Sequence, residues 1–339
     1  MKTFFVTGGA GFIGSAFVRI VLDEQPDVRI VNYDLLTYAG NPENLAGLDA
    51  DRHTFVQGDI CDGAAVLNAL PDETDVIISF AAESHVDRSI LSAHDFIRTN
   101  VLGTQVLLDA AREKGVGRFC HISTDEVMGS LPEDSEKYFT EASHFAPNSP
   151  YAASKAAAEH VVRAAHETFG LDTVITRCGN NYGPRQFPEK FIPLMIANAL
   201  ANEPVPVYGD GRNVRDWIYV DDHCRAILNV IDRAKSGDTF NIGARNERRN
   251  LEVVEAVLSA LGKPMSLIKF VADRPGHDRR YAIDPTKIET ELGWRPRETW
   301  ETGLEKSIRW YRDNQTWIDH VRSGTYREYY ERQYGTEIV

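Results

Sequence analysis

Three glycines at a fixed spacing near the start of the chain restrict its fold more than any other feature. The segment Thr7-Gly8-Gly9-Ala10-Gly11-Phe12-Ile13-Gly14 follows a short apolar run, Phe4 to Val6. It leads into Phe12 to Leu22, where apolar residues recur at helical spacing. Such a strand-to-helix turn must tighten at one glycine, let main chain approach a ligand at another, and pack helix on strand at the last. The helix that opens there turns unpaired N–H groups toward an anion, so the spacing points to a pyrophosphate. Asp34 follows Gly14 by about 20 residues and ends a second apolar run, Val28 to Tyr33. A carboxylate at that place accepts from ribose hydroxyls and repels a 2′-phosphate, which favours NAD over NADP. Asp59 and Ile60, after a third apolar run, are placed to meet the edge and face of an adenine.

Thr54 to Gln57, Asp75 to Phe80, Arg118 to Ile122 and Leu171 to Thr176 read as further strands. Helical stretches separate them, notably Ile97 to Lys114 and Ser154 to Thr168. The alternation predicts an α/β fold, a Rossmann-type doubly wound parallel sheet. Beyond Asn180 the rhythm is expected to break at Pro184, Pro188, Pro193, Pro204 and Pro206, and Asp273 to His277 reads as a shaped loop. Residues 1–180 are therefore assigned to an NAD-binding domain and 181–339 mainly to a smaller, mostly C-terminal α/β substrate domain. Thr239 to Ile242 is strand-like, so a return to the sheet is expected near 214–243. No repeat or low-complexity linker separates the two parts, which predicts intimate packing.

The 339 residues carry a formal net charge of −13, and the pI is near 5.3. That balance argues against a nucleic-acid or basic membrane surface, so an anionic substrate has to be held by local Arg and Lys groups. Cys61, Cys120, Cys178 and Cys224 are widely spaced, with no CxxC pair or Cys/His ligand cluster. Reduced thiols, a cytoplasmic location and no metal are the expectation. Met1 to Val6 runs straight into the glycine turn without an apolar leader, and no stretch approaches a membrane span.

The chemistry is concentrated at Ser123-Thr124-Asp125-Glu126 and at Tyr151 with Lys155. Tyr151 and Lys155 stand i and i+4 on a helix opening near Pro150, hence on one face. A nearby ammonium favours tyrosinate and is expected to bring the phenol down toward working pH. The phenolate then takes the proton of a sugar hydroxyl as hydride leaves the same carbon, with Thr124 hydrogen-bonding that oxygen. Asp125 and Glu126 exceed what a dehydrogenase needs, and point to a second reaction requiring its own acid and base.

These residues resemble those of the extended short-chain dehydrogenases/reductases, and within them the dTDP-glucose 4,6-dehydratase family. The likeness rests on TGGAGFIGS (7–15), LTYAGN (36–41), AAESHVDRS (81–89), STDEV (123–127), YAASK (151–155), NNYGP (180–184), VRDWIYVDDH (214–223) and DRPGHDRRYAID (273–284). It implies a hydro-lyase that retains its NAD tightly and recycles it within each turnover. Tyr151 resembles the base at the C4 hydroxyl, Glu126 the base at C5, and Asp125 the acid for the departing C6 hydroxyl, with hydride passing from C4 to NAD and back to C6. Asp125 must then start protonated and Glu126 ionised, a separation that close carboxyls in a dry pocket can reach. By the same resemblance Phe80, Ala81, Ala82, Glu83, Thr99 and Asn181 lie along the cofactor. Ser84 and Asn180 lie beside the sugar, and Lys190, Arg215, Arg274 and His277 lie near the phosphates. Pro206 and Tyr208 flank the base, and Asn250 makes a further nucleotide contact.

His85 is expected to shape the sugar pocket and His121 to be a strand residue, neither acting directly. Two positions depart from the family: Met128 stands where Tyr is common, and Gly179 where Ser is usual. The same chemistry on UDP- or CDP-glucose or an N-acetylated sugar, a nucleotide-sugar 4-epimerase, and a catalytically silent NAD- or nucleotide-binding protein remain as alternatives, the last two disfavoured by Asp125 with Glu126 and by intact Thr124, Tyr151 and Lys155. Relatives commonly form homodimers through two helices per subunit, here those near 97–114 and 151–168. The product would feed deoxysugar biosynthesis, rhamnose being one example.

Overall fold

The computed structural model describes residues 1–273 and 276–322. Its first part runs β1 (Lys2–Thr7), α1 (Phe12–Glu24), β2 (Val28–Asp34), β3 (His53–Gln57), α2 (Gly63–Ala69), β4 (Val76–Ser79), α3 (Val86–Leu91), α4 (Ala93–Phe96), α5 (Gly103–Lys114), β5 (Arg118–Thr124), α6 (Pro150–Phe169) and β6 (Thr173–Cys178). There follow β7 (Asn180–Tyr182), α7 (Phe191–Ala201), β8 (Val205–Tyr208), β9 (Val214–Tyr219), α8 (Val220–Arg233) and β10 (Thr239–Ile242). The described chain ends with β11 (Glu247–Arg249), α9 (Asn250–Ala260), β12 (Ile268–Val271), α10 (Thr286–Glu291), α11 (Trp300–Asp313) and α12 (Gln315–Arg322).

Apolar runs such as Val76 to Ile78, buried on both faces, suit a parallel sheet covered by helices on either side. Seven strands form that sheet in the order β3-β2-β1-β4-β5-β6-β10, and every neighbouring pair is parallel. Alternation along β1 sends Phe4 and Val6 into a core with Phe17 and Val21 of α1 and Ile227 and Val230 of α8. Phe5 points the other way, against Leu107 and Leu108 of α5 and Val162 of α6. The chain moves outward from β1 through β2 and β3, then restarts on the opposite side at β4. A reversal of this kind leaves a crevice beyond the carboxyl ends of the strands.

Three expectations are refined. β10 does return to the large sheet beside β6, but β9 does not; it pairs with β7 and β11 in a separate three-stranded sheet. Pro193 does not interrupt α7, because it falls in the first turn, where its missing N–H would have had no helical partner. The segment expected as one helix from Ile97 to Lys114 begins with a π-helical turn over Ile97–Leu102 before α5. Inside that wider turn Asn100 accepts from Glu83 N at 2.9 Å and donates to Glu83 O at 3.0 Å and Ser154 Oγ at 2.8 Å. The carboxamide thus ties the loop after β4 to α6, and the turn widens to admit it.

A second core gathers Tyr182, Trp217, Trp300, Leu304 and Tyr311 beside β7, β9 and α11. Among the described residues no helix is long and apolar enough to cross a membrane. The four cysteines are free thiols.

Because Phe5 is wholly buried between sheet and helices, Phe5→Ala is expected to lower unfolding free energy by about 3–5 kcal/mol. Denaturant titration checks this, and a loss under about 1 kcal/mol would contradict the packing described.

Candidate active site

The crevice beyond β1, β4 and β5 is a cleft of about 430 Å³. Its floor is the glycine turn. Gly8 has φ +73°, and a Cβ there would stand 2.5 Å from Ala81 N at the end of β4. A Cβ on Gly14 would stand 2.2 Å from Gly8 O, so only glycine lets α1 sit this close to the turn. Gly11 caps α1 without a side-chain bond, and no acidic residue lies in the first turn. The helix N-terminus therefore offers N–H groups to an anion in the cleft.

Asp34 ends β2 at the rim. Its Oδ2 accepts from Ala10 N at 2.9 Å and its Oδ1 from Leu36 N at 2.8 Å. Each oxygen keeps a further lone pair for a ribose hydroxyl. Asp59 accepts from Cys61 N at 2.8 Å and from Arg98 Nη2 at 2.6 Å, with Ile60 beside it in the lining. Gly8, Gly11, Phe12, Ile13, Gly14, Phe80, Ala81, Ala82, Thr99 and Asn181 line the same cleft. A dinucleotide fits this set: an uncapped helix for its pyrophosphate, carboxylates at Asp34 and Asp59 on the adenosine side, and an apolar wall at Phe80 to Ala82. Arg98 was not anticipated, because its partner Asp59 lies in another strand–helix unit. Asn181 is already committed, donating to Gly179 O at 3.1 Å and accepting from the His223 ring at 2.9 Å.

Thr124, Asp125, Glu126, Tyr151 and Lys155 come together at the inner end of the cleft. Thr124 closes β5, and its Oγ1 accepts from Glu126 N at 3.3 Å, starting the tight turn Asp125–Met128. The same hydroxyl stands 3.3 Å from Asp125 Oδ1 and hydrogen-bonds Tyr151. Tyr151 lies in the first turn of α6, which Ser149 caps by accepting from Ala152 N at 3.1 Å. Behind the turn, Met128 packs with Val127, Leu131, Phe139 and Ile283. The position common for a tyrosine is thus an apolar core site in this chain. A Cβ on Gly179 would stand 2.8 Å from Asp216 O, so the serine usual there would push β9 away.

Asp125 is 2 % exposed, and its Oδ2 has no hydrogen-bond partner among the described residues. Burial first, then the charge of Glu126, holds its carboxyl well above the usual carboxylate range, against an opposing pull from Arg215. That direction favours the protonated form. Tyr151 departs from expectation. Burial first, and then Glu126, raise its phenol well above the usual value. Lys155 Nζ donates to Ile122 O at 2.7 Å and stands 3.3 Å from His121 Nε2. Burial brings Lys155 itself down to about 8.

Toward the mouth, Ser84, Asn180 and Lys190 line the cleft, and Lys190 Nζ donates to Ser84 O at 2.8 Å. Glu189, also in the lining, accepts from Tyr38 Oη at 3.0 Å and lies 3.7 Å from Arg88 Nε and 3.9 Å from His85 Nε2. Burial pushes the Glu189 carboxyl up to about 7. Pro206, Tyr208, Arg215, Asn250 and His277 do not line this cleft. Tyr208 donates to Asp87 at 3.3 Å and meets the His277 ring edge-on at 6.0 Å. Arg215 donates to Val214 O and Asp278 O and lies 4.3 Å over the Tyr281 ring. Asn250 opens α9, its N–H on Asn213 O at 2.9 Å. Arg274 lies outside the described residues.

The model of the family described as GDP-mannose 4,6 dehydratase matches residues 5–307. A dTDP-glucose 4,6-dehydratase of Xanthomonas campestris pv. campestris is 52 % identical, over 96 % of this chain and 98 % of its own. One from Escherichia coli K12 is 49 % identical, over 97 % and 98 % respectively. The dTDP-glucose 4,6-dehydratase DesIV of Streptomyces venezuelae, solved with NAD and TYD bound, is 51 % identical. It superposes with a TM-score of 0.91 over 94 % of this chain and 100 % of its own.

A carboxyl whose folded pKa is raised holds a proton that the unfolded chain releases near 3.8, so stability falls as pH climbs from there through the folded value. Asp125→Asn removes that loss. The variant is expected to gain stability over the parent at pH 8 and not at pH 4, as thermal melts at the two pH values would read; equal shifts would mean an ionised Asp125.

Proposed function

Since the chain belongs to the GDP-mannose 4,6 dehydratase family and, within it, to the dTDP-glucose 4,6-dehydratases, we propose that it converts dTDP-glucose into dTDP-4-keto-6-deoxyglucose and water with NAD as cofactor. The observation that carries this is the placement of Asp125 and Glu126 on one tight turn in the cleft that also holds Thr124, Tyr151 and Lys155.

Gly8, Gly11, Phe12, Ile13 and Gly14 would hold the pyrophosphate, Asp34 and Asp59 the adenosine, and Phe80 to Ala82 with Thr99 the nicotinamide. Bound there, NAD supplies a hydride acceptor for C4, its later return to C6, and a cationic ring whose charge opposes the upward push on Tyr151. Tyr151 accepts the C4 hydroxyl proton, while Thr124 holds the same oxygen. The C4 ketone acidifies the C5 proton, which Glu126 removes. Asp125 gives its proton to the C6 hydroxyl, which leaves as water, and C5 regains a proton at the end. Neutral Asp125 is suited to that donation because its unpartnered Oδ2 lies in a buried site. A 4-epimerase has no use for this acid and base.

Lys190, Ser84 and Asn180 would hold the sugar and its phosphates. Arg215, Arg274, His277, Asn250, Pro206 and Tyr208 would take the nucleotide end. The product would serve deoxysugar biosynthesis. We place the protein in the cytoplasm, a reading supported by its four free thiols. As a homodimer it would bury Ile90, Leu91, Ile97 and Leu102, apolar side chains exposed on and beside α3 and α5.

Turnover of dTDP-glucose deuterated at C4 is expected to deliver the label to C6, with UDP- and CDP-glucose turned over more slowly. Label retained at C4 with inversion would indicate an epimerase, and unchanged sugar a silent binder. In deuterium oxide the product acquires solvent label at C5. Glu126→Gln should slow turnover by about 10²–10⁴-fold and suppress that labelling; a variant as fast as the parent would sink the base assignment.

A further inference from the structure

An ammonium has three N–H donors, and β5 occupies two of those on Lys155. One goes to Ile122 O at 2.7 Å; the second faces His121 Nε2 at 3.3 Å. Both side chains are buried, at 4 % exposure for Lys155 and 1 % for His121. Since Lys155 can only donate, Nε2 must present its lone pair, which places the imidazole proton on Nδ1. Nδ1 has no hydrogen-bond partner among the described residues. A buried N–H without a partner is costly, and the residues on either side of it in the strand, Phe119, Cys120 and Ile122, are buried and apolar. A histidine kept here at that cost is explained by what its other nitrogen does.

We propose that His121 is a positioning residue: with the Ile122 carbonyl it fixes two of the three N–H bonds of Lys155, so that the third is presented to the cleft beside Tyr151. The inference rests on the assignment of Lys155 to the catalytic group. His121 can accept without repelling, because burial, and next the charge of Lys155, keep its ring neutral. The other groups acting on Lys155 are Glu159 on α6 and Cys178 on β6, both favouring its charged form against burial. Glu159 is itself bonded to Arg177 at 2.8 Å. His121 is thus the remaining side chain that can tune the ammonium without adding charge.

The test uses the full-length enzyme with NAD. His121→Phe keeps a ring and removes the acceptor; His121→Gln keeps a neutral acceptor near the position of Nε2. His121→Phe is expected to lower kcat by about tenfold to a hundredfold with little change in KM. Because the ammonium loses an acceptor, its pKa falls, so the alkaline limb of the kcat profile should move down by about one to two pH units. His121→Gln should stay within about threefold of the parent and keep the parent profile. Parent-like His121→Phe, or equal losses in both variants with an unshifted profile, would overturn the proposal. Lys155→Met separates the two readings. If it abolishes turnover while His121→Phe turns over like the parent, only the role of His121 fails; if it turns over like the parent, the Lys155 assignment falls and this one with it. Nitrogen-15 NMR of histidine-labelled parent enzyme gives a readout independent of variant folding: a proton on Nδ1 supports the proposal, and a proton on Nε2 overturns it.

Discussion

The buried hydrogen bond from Lys155 Nζ to the Ile122 carbonyl fastens α6 to the last residues of β5, and the geometry of the site follows from it. Two residues beyond Ile122 the strand ends at Thr124, whose hydroxyl opens the turn bearing Asp125 and Glu126. Four residues before Lys155 the same helix carries Tyr151. One bond between main chain and side chain therefore registers the two halves of the catalytic group against each other. Asn100 reinforces it from the far side by holding α6 at Ser154 and the loop after β4 at Glu83.

Burial gives those groups their character. Near neutral pH, water would leave both an aspartate and a glutamate ionised. In this cleft, removal from solvent together with the adjacent Glu126 pushes the Asp125 carboxyl well above the usual carboxylate range. The same desolvation acts on Tyr151 in the opposite sense from its neighbour Lys155, and it dominates. Burial thus raises the Asp125 carboxyl and the Tyr151 phenol alike and lowers the Lys155 ammonium.

The sequence reveals what is encoded locally. Gly8, Gly14 and Asp34 each belong to one strand–turn–helix unit, and Tyr151 and Lys155 to one helical turn, so spacing alone locates them. Distant pairings leave no such trace. Tyr38 meets Glu189 across 151 positions, and Arg98 reaches Asp59 across 39. The π-helical turn was hidden because it depends on partners of Asn100 on two other elements. The partners of Lys155 on β5 were hidden because a helical repeat tells which residues share a face, not where a flexible side chain ends. β9 reads as a strand but gives no sign of its partner, and it left the large sheet for β7 and β11.

The large sheet closes with a strand the chain supplies late. β10 pairs with β6 only after β7, α7, β8, β9 and α8 have intervened. During vectorial synthesis the β6 edge must wait, its N–H and C=O groups open to any other strand, until residues 239–242 have emerged. Part of the second core, Tyr182 and Trp217 included, is therefore made before the first sheet can be sealed, while Trp300, Leu304 and Tyr311 follow it. No single cut separates a finished cofactor half from the rest: a fragment ending ahead of residue 239 keeps the glycine turn and the catalytic group but carries a raw edge, an invitation to aggregate.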